Sequence, residues 1–138
     1  AMFVSLVFAD SYLVGLGAVV ALVVYPSFKA VGLDEWQTFH ERHSRSISWA
    51  VGPIWLLQGI LSALWILQGP HRSLAIGHGL FALAGVLVTI FAAIPQHQVI
   101  SEERTLSKLQ RLQFWHYMRS LSWLAATVFA SLMLNSRN

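Results

Sequence analysis

Four long apolar runs divide this chain, and they constrain its fold more than any other feature of the sequence. Each run is close to the roughly 20 residues that an α-helix needs to cross the hydrocarbon core of a bilayer. Of the 138 residues, 56% are hydrophobic and 11% are charged, whereas soluble domains carry about a quarter charged residues. The runs predict one all-α domain over 1–138, an integral membrane four-helix antiparallel bundle with helices at about 2–28, 41–67, 73–97 and 112–134.

The composition also excludes several kinds of site. The chain has no Cys, which rules out disulfides, thiolate metal ligands and thiol nucleophiles. It has no glycine-rich loop of the kind that cradles phosphate, and its basic residues follow the pattern of a membrane protein. We therefore expect a lipid bilayer as its partner, and no nucleic acid.

Basic residues are distributed unequally between the two ends of the predicted bundle. Because positively charged segments tend to stay in the cytoplasm, the asymmetry predicts that the first and third connections are cytoplasmic and that both termini lie outside. Seven basic residues stand in or beside those connections and two stand at the other end: Lys29, Arg42, Arg45, Arg104, Lys108, Arg111 and Arg119 against Arg72 and Arg137.

The second helix begins in a segment rich in charge and imidazole, FHERHSRSISWAVGP at 39–53. His40 and His43 are three residues apart, so on a helix they share one face. In an antiparallel bundle, short loops bring this segment to the same end as the close of helix one, the close of helix three and the start of helix four. That end is predicted to collect a polar cluster: Tyr25, His40, Glu41, His43, Arg45, His97, His116, Tyr117 and Arg119.

This cluster has the side chains of a cofactor or substrate site. Imidazole binds zinc, copper, iron and haem iron, so haem or a transition metal is the candidate cofactor, with His43, His97 and His116 as metal ligands. Catalysis is assigned to His43, His97 and Arg119, because an arginine inside a membrane helix needs an anion, carbonyl groups or water. A wider set is expected to contact the cofactor: Tyr25, His40, His43, Arg45, His97, His116 and Tyr117.

The same residue types fit a second interpretation. Arg, His, Trp and Tyr accumulate as anchors where membrane helices meet the headgroups, so the cluster could serve only to tie helix ends together or to dock a partner. A transport or proton-relay role through Asp10 and His78 is a third. Asp10 lies about 22 Å along the helix from Tyr25, and we favour an acid that snorkels at the far edge of the hydrocarbon. For the contact between Asp10 and His78, we favour plain packing over a buried pair.

Two further patterns concern packing. Small residues spaced four apart, Gly17 with Ala21 and Gly59 with Ala63, allow close approach of helices within one chain or in a homo-oligomer. The connection 101–110 places Leu106 and Leu109 on an apolar stripe that continues to Leu112, which predicts a helix lying at the membrane interface.

Short motifs spread over nearly the whole chain carry a resemblance: Tyr25-Pro26, His43-Ser44-Arg45, Gly52-Pro53, Pro95 with His97, and Arg119 followed by Trp123. The chain resembles a group of bacterial small four-helix integral membrane proteins, mostly uncharacterised and similar to the anthrone-oxygenase-like membrane family. The resemblance implies a bacterial inner membrane as the location, and oxidation of aromatic polycyclic substrates with dioxygen. It supports His43, His97 and Arg119 as site residues, while that group usually has Asn where this chain has His116.

The sequence thus leaves two main functions from different classes. The first is a metal- or haem-dependent oxidoreductase of oxygenase type, whose pocket at the cytoplasmic helix ends takes an apolar aromatic or quinone-like small molecule. The second is a non-catalytic membrane protein whose polar cluster has a structural or partner-docking role.

Overall fold

A computed structural model describes residues 1–136, so Arg137 and Asn138, which entered the prediction of orientation, lie outside the described residues. It contains four long helices: α1 at Met2–Ala30, α2 at Trp36–Gln68, α3 at Arg72–Glu102 and α4 at Leu106–Asn135. Each is long and apolar enough to cross a membrane, and residues 1–136 form no strand. The predicted all-α four-helix architecture is confirmed.

The helices pack as an antiparallel ring, in which α1 and α3 each contact both α2 and α4. One end of the bundle carries the loops 31–35 and 103–105, and we call it the two-loop end. The opposite, terminal end carries Met2, the turn 69–71 and the end of α4. Apolar clusters close both ends, one around Phe28 and Trp36 and the other around Phe3 and Trp65.

The predicted interfacial helix is wrong, because the segment from Leu106 onward is the start of α4. The Thr105 hydroxyl caps this helix by accepting a hydrogen bond from the Lys108 amide at 3.3 Å. Leu109 and Leu112 lie in the core with Phe28 rather than at a membrane surface. A continuous helix satisfies the backbone groups of this segment and buries Leu109 and Leu112 of the stripe inside the bundle, while Leu106 stays exposed.

Polar contacts hold the short α3–α4 loop. The Arg104 guanidinium donates hydrogen bonds to the carbonyl groups of Phe28 and Val31 and lies over the Trp36 ring, 5.0 Å from its centroid. On the exposed side, Lys108 donates to Glu103 at 2.7 Å, and this contact lowers the pKa of the Glu103 carboxyl. The loop is thereby tied to the end of α1.

Of the two predicted close-packing pairs, only the one that contains Gly17 lies at a close helix contact within the chain. A Cβ atom added to Gly17 would lie 2.8 Å from the Ser120 hydroxyl, so this glycine allows α1 and α4 to approach closely. Gly59 has no atom within 4 Å of an added Cβ, so it makes no close helix contact within the chain.

Both α1 and α3 contain a π-helical turn directly before a proline. The turns are Val20–Val24, followed by Tyr25-Pro26, and Thr89–Ala93, followed by Ile94-Pro95. Proline has no amide hydrogen and its ring crowds the carbonyl group four residues earlier, and a widened turn relieves that crowding. Because a π turn holds one extra residue, it rotates everything after it by roughly 100° relative to a regular α-helix.

Candidate functional site

The two-loop end brings together histidine, tyrosine and arginine side chains from all four helices. Tyr25 follows the π turn of α1 and His97 follows that of α3, so both prolines influence where these side chains point. His40 stands on the first turns of α2, while His116 and Arg119 share one face of α4. The predicted convergence of these residues at one end is therefore present in the structure.

His97 is the centre of a hydrogen-bonded chain. Its Nε2 lies 3.0 Å from the Tyr25 hydroxyl, and its Nδ1 lies 3.0 Å from Nε2 of His40. One consistent arrangement has Tyr25 donating to His97, and the Nδ1–H of His97 donating to His40. A tyrosine and two imidazoles joined in this way can pass a proton in steps from one side of the site to the other.

His116 and Arg119 form a second unit beside this chain. The Nε2–H of His116 donates to the Gly17 carbonyl group at 2.8 Å, so its Nδ1 is free to accept from the Arg119 guanidinium at 2.8 Å. The Arg119 guanidinium also interacts with the Tyr25 hydroxyl. It lies 5.1 Å from the centroid of the Trp123 ring, and its Nε–H has no hydrogen-bond partner among residues 1–136.

Helix α1 supplies acceptors because of its π turn. The Ala21 carbonyl group, inside the turn, accepts a hydrogen bond from the Gln113 amide at 3.0 Å, and Gly17, one turn earlier, accepts from His116. Two side chains of α4 thus satisfy carbonyl groups at the irregular part of α1. The same contacts fix the orientation of the His116 ring.

His43 stands behind the hydrogen-bonded chain. Its ring packs edge-on against Phe28 with centroids 4.9 Å apart, and it stacks on His97 at 6.0 Å. The Nε2 atom of His43 is buried and has no hydrogen-bond partner within the described part of the chain. His40 and His43 share one face of α2, as their spacing predicts, with ring centroids 6.3 Å apart.

A cavity of about 650 Å³ lies against the cluster, between α2 and α3 and reaching α1 and α4. Its wall is largely apolar, with Val20, Ile47, Trp55 and Ala93 among the lining residues. The predicted site residues in its wall are Tyr25, His40, Arg45, His97, His116 and Arg119.

Two predicted site residues do not line this cavity. His43 packs behind it, and Tyr117 is exposed on the outer face of α4, where its hydroxyl accepts from Gln113 at 3.0 Å. Trp55 and Trp123 do line it, although the sequence analysis did not assign them to the site. Trp123 had a sequence signal, because it follows Arg119 in one of the quoted motifs. Nothing in the sequence distinguishes Trp55 from the other tryptophans.

The partners of the imidazole nitrogens bear on the predicted metal site. Among residues 1–136, no three His, Asp or Glu side chains are placed to hold a metal ion. Both nitrogens of His97 are used by Tyr25 and His40, and both nitrogens of His116 are used by Gly17 and Arg119. The assignment of His43, His97 and His116 as metal ligands stays a prediction, and the chemistry proposed below does not run through a metal or haem.

A second polar cluster lies toward the terminal end, and here the expectation of a snorkelling Asp10 is wrong. Asp10 and His78 are completely buried, with Oδ2 of Asp10 2.9 Å from Nε2 of His78. Gln58 donates to Oδ1 of Asp10 at 2.7 Å, and the Ser62 hydroxyl lies 2.9 Å from Nδ1 of His78. Burial follows because a carboxylate facing hydrocarbon would have no partner, whereas inside the bundle side chains of α2 and α3 satisfy it.

The sequence contained a partial signal for this second cluster. Asp10 and His78 were expected at similar depth in the membrane, and Gln58 and Ser62 are four residues apart, on one face of α2. Only packing shows that these four side chains meet.

No protein-family model, no curated protein and no solved structure matches the chain.

Proposed function

We propose that this protein is an integral membrane enzyme that binds an apolar ring compound with an acidic hydroxyl group, such as a phenol or enol, and oxidises it. The observation that carries the proposal is the cavity of about 650 Å³, whose apolar wall is interrupted at one end by Tyr25, His97, His40 and Arg119. A cavity of this size is within the range of small-molecule sites.

Arg119 provides charge stabilisation, and Tyr25, His97 and His40 provide proton transfer. A ligand hydroxyl placed near Arg119 would lose its proton to the chain formed by Tyr25, His97 and His40. The resulting aryloxide or enolate oxygen would be stabilised by the guanidinium, which is a fixed cation in a largely apolar site. Deprotonation raises the electron density of the ring and so makes its carbon atoms easier to oxidise.

The oxidation itself follows from the resemblance to the anthrone-oxygenase-like family, and its oxidant is dioxygen. In a balanced reaction, a ring methylene group becomes a carbonyl group, one oxygen atom enters the product and the other leaves as water. The protein would bind the ring, remove the proton and stabilise the oxyanion.

We further propose that the protein resides in a bacterial inner membrane with the two-loop end in the cytoplasm and both termini outside. The support is the excess of basic residues at the two-loop end. In this orientation the cavity opens at the cytoplasmic half of the bilayer.

The alternative function is a non-catalytic one, in which the cluster locks the helix ends together. The observation that favours it is that His97 and His116 find partners for both nitrogens within the protein. A locking cluster, however, does not require a cavity beside it.

A ligand titration separates the two functions. Trp55 and Trp123 line the cavity, so binding of 2-naphthol or anthrone to the purified protein should quench tryptophan fluorescence with saturation. We expect Arg119→Gln to weaken binding of the naphtholate form roughly 10- to 100-fold, because a hydrogen bond to a charged group contributes about 1.5–3 kcal/mol.

The matched control is Arg111→Gln, which removes an exposed arginine of the same helix away from the cavity. It should bind like the parent protein. Absence of saturable quenching by both ring compounds would contradict the proposal and favour the locking role.

A further inference from the structure

A second cavity, also of about 650 Å³, forms a groove along α2 and α3 on the outer surface of the bundle. Its wall is apolar and contains several small residues, and its edges include Leu56, Leu80 and Leu83, which are 67%, 62% and 51% exposed. These side chains face the region that hydrocarbon occupies around a membrane protein. The groove is therefore accessible from the bilayer.

The groove adjoins the first cavity. Gly52 and Trp55 line both of them. The indole Nε1–H of Trp55 is buried and has no hydrogen-bond partner among residues 1–136. A ligand that passes from the groove to the cavity would cross this point, where the indole could donate to it.

The groove is suited to a hydrocarbon chain rather than to a polar group. Its two polar residues, Gln58 and Ser62, are hydrogen-bonded to the buried Asp10 and His78. From Gly52 to Ile66 it follows α2 for about 21 Å at the helical rise. That length is more than half of the roughly 30 Å hydrocarbon thickness of a bilayer, so it accommodates one extended chain.

The two adjoining cavities thus differ in chemistry. The first places Tyr25, His97 and Arg119 around a ring-sized space, and the second has a largely apolar wall. We propose that the ligand of this protein is an amphiphile, with a hydroxylated or quinone-like ring in the first cavity and a hydrocarbon tail in the groove between α2 and α3. This inference rests on the proposed ring site and extends it to the class of substrate and its lateral access route.

Gly59 offers a selective test of the groove. It lines the groove, and a Cβ added there would meet no atom within 4 Å, so Gly59→Leu fills the groove without a clash at the Cβ position. The matched control is Gly15→Leu, an exposed position on α1 that also has no atom within 4 Å and lines neither cavity. Both variants add the same side chain to a lipid-facing helix surface.

The probes are two naphthoquinones with the same ring, menadione without a tail and its analogue with a four-isoprene tail. Tryptophan quenching is measured in one detergent, and each variant is compared with the parent so that partition into micelles cancels. We expect Gly59→Leu to weaken binding of the tailed quinone about tenfold or more and to leave menadione unchanged. Gly15→Leu should change neither affinity.

Other outcomes have distinct meanings. If both quinones bind but Gly59→Leu leaves the tailed one unaffected, the tail site is overturned while the ring site stands. If neither quinone nor the ring compounds above bind, the proposed function fails together with the inference. If phospholipid copurifies with the parent and is lost from Gly59→Leu without any change in quinone affinity, the groove holds a lipid chain and the inference is overturned.

Discussion

At the scale of single residues, the two polar clusters place their imidazoles in different roles. His97 joins Tyr25 and His40 through both ring nitrogens and borders a cavity. His78 also uses both nitrogens, but it is completely buried between Asp10 and Ser62 and lines neither of the two cavities described above. The first arrangement suits proton exchange with a ligand, whereas the second suits a fixed contact between helices.

His97→Gln is predicted to separate ligand binding from ligand ionisation. Glutamine cannot relay a proton between Tyr25 and His40, so bound 2-naphthol should remain neutral at a pH at which the parent protein holds naphtholate. The two forms are distinguished by their absorption and emission spectra. His71→Gln, in the exposed turn at the terminal end, is the control and should match the parent. Naphtholate formation at the parent level in His97→Gln would show that the chain does not accept the proton.

Asp10→Asn is predicted to lower the free energy of unfolding by about 1–3 kcal/mol, the range for disturbing a buried hydrogen-bonded group. His78→Gln should have a similar effect, and the double variant should cost less than the sum of the two, because both changes remove the same contact. Denaturant titration in detergent micelles measures all three. Asp34→Asn, in the exposed loop, provides a control expected to show no change. Strict additivity of the two buried changes would argue against their coupling.

At the scale of helices, the two π turns that precede the prolines influence how side chains are oriented at the site. Each turn ends two residues before a proline, since Val24 is followed by Tyr25-Pro26 and Ala93 by Ile94-Pro95. The rotation that each turn introduces determines which side chains of the following segment face inward. In α3 the segment so rotated carries His97.

Pro95→Ala is predicted to weaken ring binding about tenfold while leaving helix content unchanged. Without the proline, a regular α-helix competes with the π turn, and the rotation of roughly 100° that positions His97 is lost in part of the population. Fluorescence titration gives the affinity, and far-ultraviolet circular dichroism gives the helix content. Pro70→Ala, in the turn at the opposite end, should bind normally. Unchanged affinity in Pro95→Ala would mean that helix packing alone maintains the π turn.

At the scale of the whole molecule, apolar clusters pack at both ends of the bundle, and most residues that line the first cavity belong to α2 and α3. In the proposal above, an apolar molecule dissolved in the bilayer reaches Tyr25 and His97 from the side, between these two helices. The orientation of the bundle then decides which leaflet supplies it.

Single-cysteine labelling tests the proposed orientation. Because the chain has no native cysteine, only the introduced residue can react with a thiol reagent. Cysteine at Gly32 should react with a membrane-impermeant maleimide only after the cells are permeabilised, whereas cysteine at Asn138 should react in intact cells. The opposite labelling pattern would place the two-loop end and its cavity on the outer side of the membrane.

The sequence alone determined that the chain forms four membrane-length helices, and it identified the end of the bundle at which His40, His97, His116 and Arg119 meet. These features follow from local properties, because the length and apolar character of a segment decide whether it can cross a bilayer, and short loops force neighbouring helices to be antiparallel.

Only the tertiary structure decided which of these side chains border the cavity. His40 and His43 share one face of α2, yet His40 lines the cavity and His43 packs behind it against Phe28. The burial of Asp10 was likewise decided by its partners on two other helices. Both outcomes depend on helix rotation and on contacts between residues distant in sequence, and a π turn changes that rotation without altering the apolar pattern from which the helices were predicted.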